Sequence, residues 1–197
     1  MKRIALLVWA LCLMLVLTGC SGLGKRKLAI GGADSKALVA YFSCTQNTGR
    51  VAEHIADIVG ADLYEIVPQE PYTDEDLQSD GSSGRLAEEQ YGENVRPAIA
   101  GSVENMEDYS IVFVGYPIWW GDAPKIICTF LESYDFSGKT IIPFCTSSST
   151  GMGSSATDIH GSTSSSARWL DGTRFPSGAA RRTVVDWLDE FTVRVAE

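Results

Sequence analysis

Three apolar runs, each followed at once by a short polar loop, constrain this chain more than anything else in it. Ala37 to Phe42 reads ALVAYF and gives way to SCTQNT. Ile111 to Gly115 reads IVFVG and gives way to YPIWWG. Thr140 to Phe144 reads TIIPF and gives way to CTSSSTGMG. A run that is apolar at every position, rather than at alternate ones, suits a strand buried on both faces, as in a parallel sheet. Helical patterns lie between the runs. Val51, Ile55, Ile58 and Val59 recur at helical spacing, and Gly60 stops that helix. Ile127, Phe130, Leu131 and Tyr134 form a second stripe, with Pro124 where a first helical turn accepts it. Val184, Trp187, Leu188 and Phe191 mark a terminal helix from about residue 179. Leu63 to Val67, closed by Pro68, is a less apolar second strand, and Arg168 to Leu170 a short fifth.

Strands alternating with helices predict an α/β fold with a parallel sheet covered on both faces. Such sheets bind ligands outside the carboxyl ends of their strands, where the strand order reverses. All three polar loops fall at carboxyl ends. Two stretches fit this frame less easily. Residues 68–108 form a long acidic connection with one expected helix at Leu86 to Tyr91, and connections of that length are usually functional or mobile. Residues 147–166 are rich in serine; a short helix is expected at Ser155 to His160, with a loose tail to Ser166.

In the first loop, the side chains of Ser43, Thr45, Asn47 and Thr48 can donate to phosphate oxygens, and the unpaired N–H groups opening the next helix add a favourable dipole. No lysine is present and Arg50 is the only cation nearby, which suits one terminal phosphate better than the several phosphates of a nucleoside triphosphate. The alternative is plain helix capping by a Ser/Thr/Asn cluster. In the second loop, Pro117 fixes the chain as it leaves the strand, and Ile118, Trp119, Trp120 and Gly121 follow. Adjacent indoles suit a flat ring, with Trp119 expected to face it and one of the pair packing into the core. The third loop, Thr146, Ser147, Ser148, Ser149 and on to Gly151 and Gly153, is small and polar enough to approach the hydrogen-bonding edge of that ring. A phosphate beside a planar heterocycle at neighbouring strand ends points to flavin mononucleotide (FMN).

The amino terminus reads as an export signal. Met1-Lys2-Arg3 precedes an apolar stretch from Ile4 to Leu17, and Leu17-Thr18-Gly19-Cys20 closes it. Fourteen residues fall short of the ~20 that a spanning helix needs. A cysteine at the cleavage point resembles the bacterial lipobox, which implies a signal peptide at 1–19 and lipidation of Cys20. Residues 20–35 are expected to be a flexible tether with a coil dimension of roughly 20 Å. Residues 36–197 suit one domain. Without Lys2 and Arg3 the 16 basic residues become 14 against 25 acidic, a net charge of −11. Such acidity excludes the basic footprint of a nucleic-acid binder and favours a basic protein partner. Eight acids lie between Glu70 and Glu93 with only Arg85 opposing them. Cys44, Cys128 and Cys145 form neither a disulfide framework nor a metal spacing; buried free thiols are expected, and a helix N-terminus should lower the pKa of Cys44. His54 and His160 stand apart from any acid–nucleophile arrangement.

Together these residues resemble the flavodoxin family, in particular its exported or membrane-anchored bacterial branch. The pattern Y-F-S-x-T-x-N-T, then G-x-P-I-W-W-G, then a small Ser/Thr/Gly loop, runs in the family's order through most of residues 37–195. The resemblance implies a five-stranded parallel sheet of order 2-1-3-4-5, one non-covalent FMN and a role in electron transfer. It assigns the phosphate to Ser43, Thr45, Asn47 and Thr48, the ring's flank to Pro117 to Trp120, and its pyrimidine side to Thr146 to Gly153. Cys44 and Gln46 complete the first loop. Gln46 stands where the family usually has glycine, and Ser148 and Ser149 where glycines are common. Acidic surroundings destabilise a reduced flavin anion, so its last reduction couple is expected to be low. The resemblance leaves open an extracytoplasmic electron carrier, periplasmic or at the cell surface, an FMN-dependent quinone or NAD(P)H oxidoreductase, and a flavin-free scaffold.

Overall fold

The computed structural model describes residues 27–28, 35–78, 81–92 and 94–193. The expected signal peptide, Cys20 and most of the expected tether lie outside these residues. Strand β1 (Lys36–Tyr41) leads into α1 (Asn47–Val59), followed by β2 (Asp62–Glu65), α2 (Asp74–Gln78), α3 (Arg85–Tyr91) and β3 (Tyr109–Pro117). Then come α4 (Lys125–Glu132), β4 (Thr140–Thr146), α5 (Ser155–Asp158), β5 (Arg168–Trp169), β6 (Thr173–Phe175) and α6 (Arg181–Leu188). The sheet runs β2-β1-β3-β4-β5 and all its pairings are parallel. This is the expected order 2-1-3-4-5. The fifth position is filled twice: β5 pairs with the start of β4 and β6 with its end, so one interrupted strand flanks β4 along its length.

Alternate residues of the apolar runs face opposite ways, and each face meets its own helices. Leu38, Ala40 and Phe42 of the first run join Val112, Val114 and Tyr116 against Ile126, Ile127, Phe130 and Leu131 of α4. Val39 and Tyr41 join Phe113, Ile142 and Phe144 against Val51, Ile55 and Ile58 of α1 and Val184, Trp187 and Leu188 of α6. The α1 stripe therefore covers one face while α4 covers the other. Gly60 ends α1 in the left-handed region at φ 73°, its N–H donating to the Ala56 carbonyl.

Several boundaries differ from the sequence reading. β3 and β4 each run two residues further, so Tyr116, Pro117, Cys145 and Thr146 belong to strands rather than loops. The second strand stops at Glu65. Val67–Pro68 then pairs antiparallel with Ile99–Ala100, closing the base of the long acidic excursion. Within it α3 falls where a helix was expected, and the acidic run Asp74-Glu75-Asp76 opens α2, favourably placed against the helix dipole. A reciprocal cap starts it: Thr73 N–H donates to Asp76 Oδ2 (2.8 Å) and Asp76 N–H to Thr73 Oγ1 (3.1 Å). Ser155–Asp158 is helical as expected, and the serine tail is tied down, Ser137 Oγ donating to Ser164 Oγ (3.2 Å) and Ser162 Oγ to Glu132 Oε1 (3.3 Å). Inside the stretch read as tether, Lys27–Leu28 pairs antiparallel with Thr192–Val193, and the Leu28 side chain is buried among those of the α1 and α6 face. A two-residue strand has no period for a sequence to display.

Among the described residues no helix is long and apolar enough to cross a membrane.

Candidate functional site

The first loop joins β1 to α1. Ser43 and Cys44 are half-buried, Thr45 and Gln46 exposed, Asn47 half-buried and Thr48 buried. Gln46 precedes the helix in the left-handed region (φ 61°) and makes no side-chain cap bond. The backbone thus keeps the conformation that a glycine adopts without cost, although a glutamine occupies it. The other polar side chains of the loop are organised among themselves. Asn47 Nδ2 donates to Thr45 Oγ1 (3.0 Å), and Ser177 Oγ donates to Asn47 Oδ1 (2.9 Å). With no side-chain cap on α1, its first-turn N–H groups are left to meet an anion, which weighs against the plain capping alternative.

One residue ties the three loops together. Thr146, the last residue of β4, sets its hydroxyl 2.8 Å from the buried Thr48 hydroxyl of the first loop. Its carbonyl accepts the Ile118 N–H of the second loop (2.9 Å), and the third loop continues from its own carboxyl end. The second loop is then closed by two reciprocal bonds, Trp119 N–H to the Asp122 carbonyl (2.9 Å) and Asp122 N–H to the Trp119 carbonyl (3.0 Å). The intervening Trp120 and Gly121 both have positive φ, 48° and 97°, as a tight primed turn requires. A tryptophan in that conformation carries roughly 1–2 kcal/mol of strain.

The two indoles differ in environment. Trp119 is half-buried and lies perpendicular to the rings of Phe42 (centroids 5.3 Å apart) and Tyr72 (5.4 Å). Trp120 is 38% exposed, tilted against Tyr91 at 6.3 Å. Gly81 lies directly beneath the Trp120 ring, where any side chain would collide with the indole. Trp119, expected to face the ligand, is therefore the indole packed against the core, and Trp120 the more open one.

In the third loop Ser147 is pinned on every side. Its N–H donates to the Phe175 carbonyl (3.1 Å), its Oγ accepts from Thr150 N–H (2.9 Å), and its carbonyl accepts from Arg174 Nη2 (2.7 Å). Ser148, Ser149, Gly151 and Gly153 are exposed, while Met152 turns back to the core. Beneath the loop the Tyr116 hydroxyl meets buried Ser155 Oγ at 3.2 Å, and burial pushes the tyrosine pKa up.

Four contributors escaped the sequence reading because they come from elsewhere in the chain. Ser177 and Arg174 approach from the β6 segment. Tyr72 and Arg85 approach from the acidic excursion: the Arg85 guanidinium lies 4.3 Å above the Tyr72 ring, and both side chains hold Glu89, at 2.6 Å from Tyr72 Oη and 2.8 Å from Arg85 Nε. Arg85 also donates to the Glu70 and Pro71 carbonyls, and Gln90 Nε2 donates to the Ala123 carbonyl beside the second loop. The excursion is thereby fastened against the aromatic turn.

The expectation for Cys44 is reversed. Burial, then the nearby Glu65 carboxylate, push its thiol up to about 11, with Arg85 opposing weakly, so these outweigh the helix N-terminus and the thiol stays protonated at neutral pH. Cys128 and Cys145 are buried free thiols, as expected. His160 stacks on Trp169 with centroids 4.2 Å apart, and His54 lies within α1. Among the described residues no group of His, Cys, Asp and Glu is placed to hold a metal ion.

A sequence profile described as flavodoxin matches residues 36–191, nearly the whole of this domain. The chain belongs to the flavodoxin family. Among solved structures, this flavodoxin-family chain is similar to a Bacteroides eggerthii protein classed as a flavoprotein, with 41% identity and a TM-score of 0.74, covering 81% of this chain and 99% of that one. A Bacteroides uniformis counterpart is 38% identical with a TM-score of 0.74, covering 79% and 98%. A Lactobacillus acidophilus flavoprotein solved in complex with FMN is 20% identical, with a TM-score of 0.56 and coverage of 79% and 99%; that likeness is one of fold. No curated protein matches the chain.

Proposed function

We propose that this flavodoxin-family protein binds one FMN non-covalently and carries electrons outside the cytoplasm, attached to a membrane through lipid at Cys20. The observation that carries the cofactor reading is the Thr146 junction, which brings a hydroxyl-lined helix N-terminus, an aromatic turn and a small polar loop to one place. The donor set suits a phosphate monoester. The hydroxyls and amide of Ser43, Thr45, Asn47 and Thr48 are neutral, and Asn47 is already oriented by Thr45 and Ser177. Pro117, Ile118, Trp119, Trp120 and Gly121 would flank the ring, and Thr146 to Gly153 would meet its polar edge. When bound, FMN supplies reversible electron transfer, while the protein supplies binding, orientation and electrostatics.

The described acids of α2 and α3 stand on the excursion that Tyr72, Gln90 and Tyr91 fasten to the aromatic turn, which favours a redox partner with a basic docking surface. The tethered, extracytoplasmic placement rests on the lipobox at Leu17 to Cys20.

Flavin absorption bands in protein purified from its native host test the cofactor; a colourless protein that takes up no FMN at micromolar concentration refutes it. Cys20→Ser should move the protein from the membrane fraction to the soluble fraction, and an unchanged distribution refutes the anchor. Steady NAD(P)H or quinone turnover by holoprotein without an added reductase would turn the carrier reading into the oxidoreductase one.

A further inference from the structure

Arg174 is a cation outside the neutral donor set proposed for the FMN phosphate. It stands on β6 in register with Cys145 of β4, which is in turn in register with Tyr116 of β3, so the three side chains share one face at the carboxyl ends of the strands. The third loop lies close by: a side chain at Gly172, two residues earlier, would collide with the Pro143 carbonyl of β4 and also meet the end of the Met152 side chain of that loop. The Arg174 guanidinium reaches the loop's backbone, Nη2 lying 2.7 Å from the Ser147 carbonyl oxygen. Its Nε is buried and has no hydrogen-bond partner, and no described carboxylate forms an ion pair with it. A buried donor left unpaired is destabilising, and a fold retains such a group only where something offsets the loss. The charge is felt locally: burial pushes the Cys145 thiol up to about 12, and Arg174 pulls it the other way.

We propose that Arg174 is the positive charge set beneath the pyrimidine edge of the flavin, where it holds the third loop through Ser147 and favours the reduced ring over the oxidised one. This rests on the FMN reading above. Uptake of two electrons from a low-potential redox partner and one proton from water leaves one net negative charge on the ring, concentrated on its pyrimidine half. A half-buried guanidinium one hydrogen bond from the lining loop opposes the acidic surface at the point where that charge develops. Arg174 acts through field and position, with no proton transfer of its own, since a guanidinium stays charged.

The test is the reduction potential of FMN-loaded protein, titrated with dithionite, alongside the affinity for oxidised FMN. Arg174→Gln should weaken the reduced form about tenfold relative to the oxidised form, a fall of ~59 mV in the one-electron couple that yields the anion. Arg174→Lys should restore most of it. Arg174→His provides an internal switch: its potential should match that of the wild type near pH 5 and fall towards that of Arg174→Gln near pH 8. Equal loss of affinity for both oxidation states, or an Arg174→His potential that tracks the wild type at every pH, overturns the proposal and leaves Arg174 a loop support. Failure of the wild type to bind FMN overturns the cofactor reading as well, so the two failures are distinguishable.

Discussion

Replacing Thr48 by valine isolates what the first loop does for a bound phosphate. The substitution keeps the branched shape in a site where Thr48 is only 1% exposed, and removes a hydroxyl 2.8 Å from Thr146 Oγ1. A hydroxyl has one proton to give and two lone pairs to accept with. If Thr146 donates to Thr48, the Thr48 proton is left for a phosphate oxygen. A hydrogen bond to a charged group contributes about 1.5–3 kcal/mol, so Thr48→Val should weaken FMN binding roughly 10- to 150-fold. Thr146→Val removes only a bond between neutral groups, about 0.5–1.5 kcal/mol, and should cost roughly 2- to 10-fold. Thr48→Ser should bind nearly as the wild type does. Quenching of flavin fluorescence on titration into apoprotein measures all three, with circular dichroism to confirm that the variants fold. Should Thr48→Val bind within twofold of wild type, or Thr146→Val lose as much as Thr48→Val, the direction assigned to this hydroxyl pair is wrong.

Two further predictions concern a buried lysine at the amino end of the sheet and the thiol of the first loop. Lys139 is buried, and its ammonium donates to the carbonyls of Met106 (2.8 Å) and Tyr109 (2.6 Å) at the amino end of the sheet. Lys139→Met removes both bonds while sparing the burial of a charge; the Met106 carbonyl keeps the Tyr109 N–H, so the change should cost about 1–3 kcal/mol, or a fall in Tm of roughly 2–12 °C, with FMN affinity unchanged; an unaltered melting curve refutes this. The Cys44 thiol, raised from an ordinary 9.0 to about 11, favours the folded state fully below about pH 9, and that contribution is lost as pH rises from 9 through 11. Alkylation of Cys44 by iodoacetamide should therefore still accelerate above pH 9; a plateau near pH 7, the signature of an activated thiolate, would contradict it.

The sheet and the three loops were legible because both follow from local pattern. Runs such as ALVAYF, apolar at every position, have few homes other than a strand covered twice, and a short polar loop follows each of them. Strand ends were less legible: Pro117 and Thr146 look like loop residues, yet register with β4 and β6 keeps them in the ladder. Gln46 shows that a glycine's backbone can persist without the glycine, since the loop's own bonds and the start of α1 fix φ. The errors lie where tertiary packing overrides a local rule. The helix N-terminus near Cys44 is a sequence-level fact, whereas Glu65 and the burial that reverses its effect arrive from other elements. Arg174, Ser177, Tyr72 and Arg85 carry no signal in sequence, because their roles depend on the loops they meet across the fold.

The pairing of Lys27–Leu28 with Thr192–Val193 shortens the leash. Only residues 21–26 would then lie between a lipidated Cys20 and the folded body, in place of the whole stretch to residue 35. Any six residues span at most about 20 Å when fully extended. Under the proposed anchor at Cys20, a body held that close to a bilayer would not roam to distant clients. Its traffic would be confined to molecules that come within that reach of the surface, and its own acidity would disfavour close approach to anionic lipid.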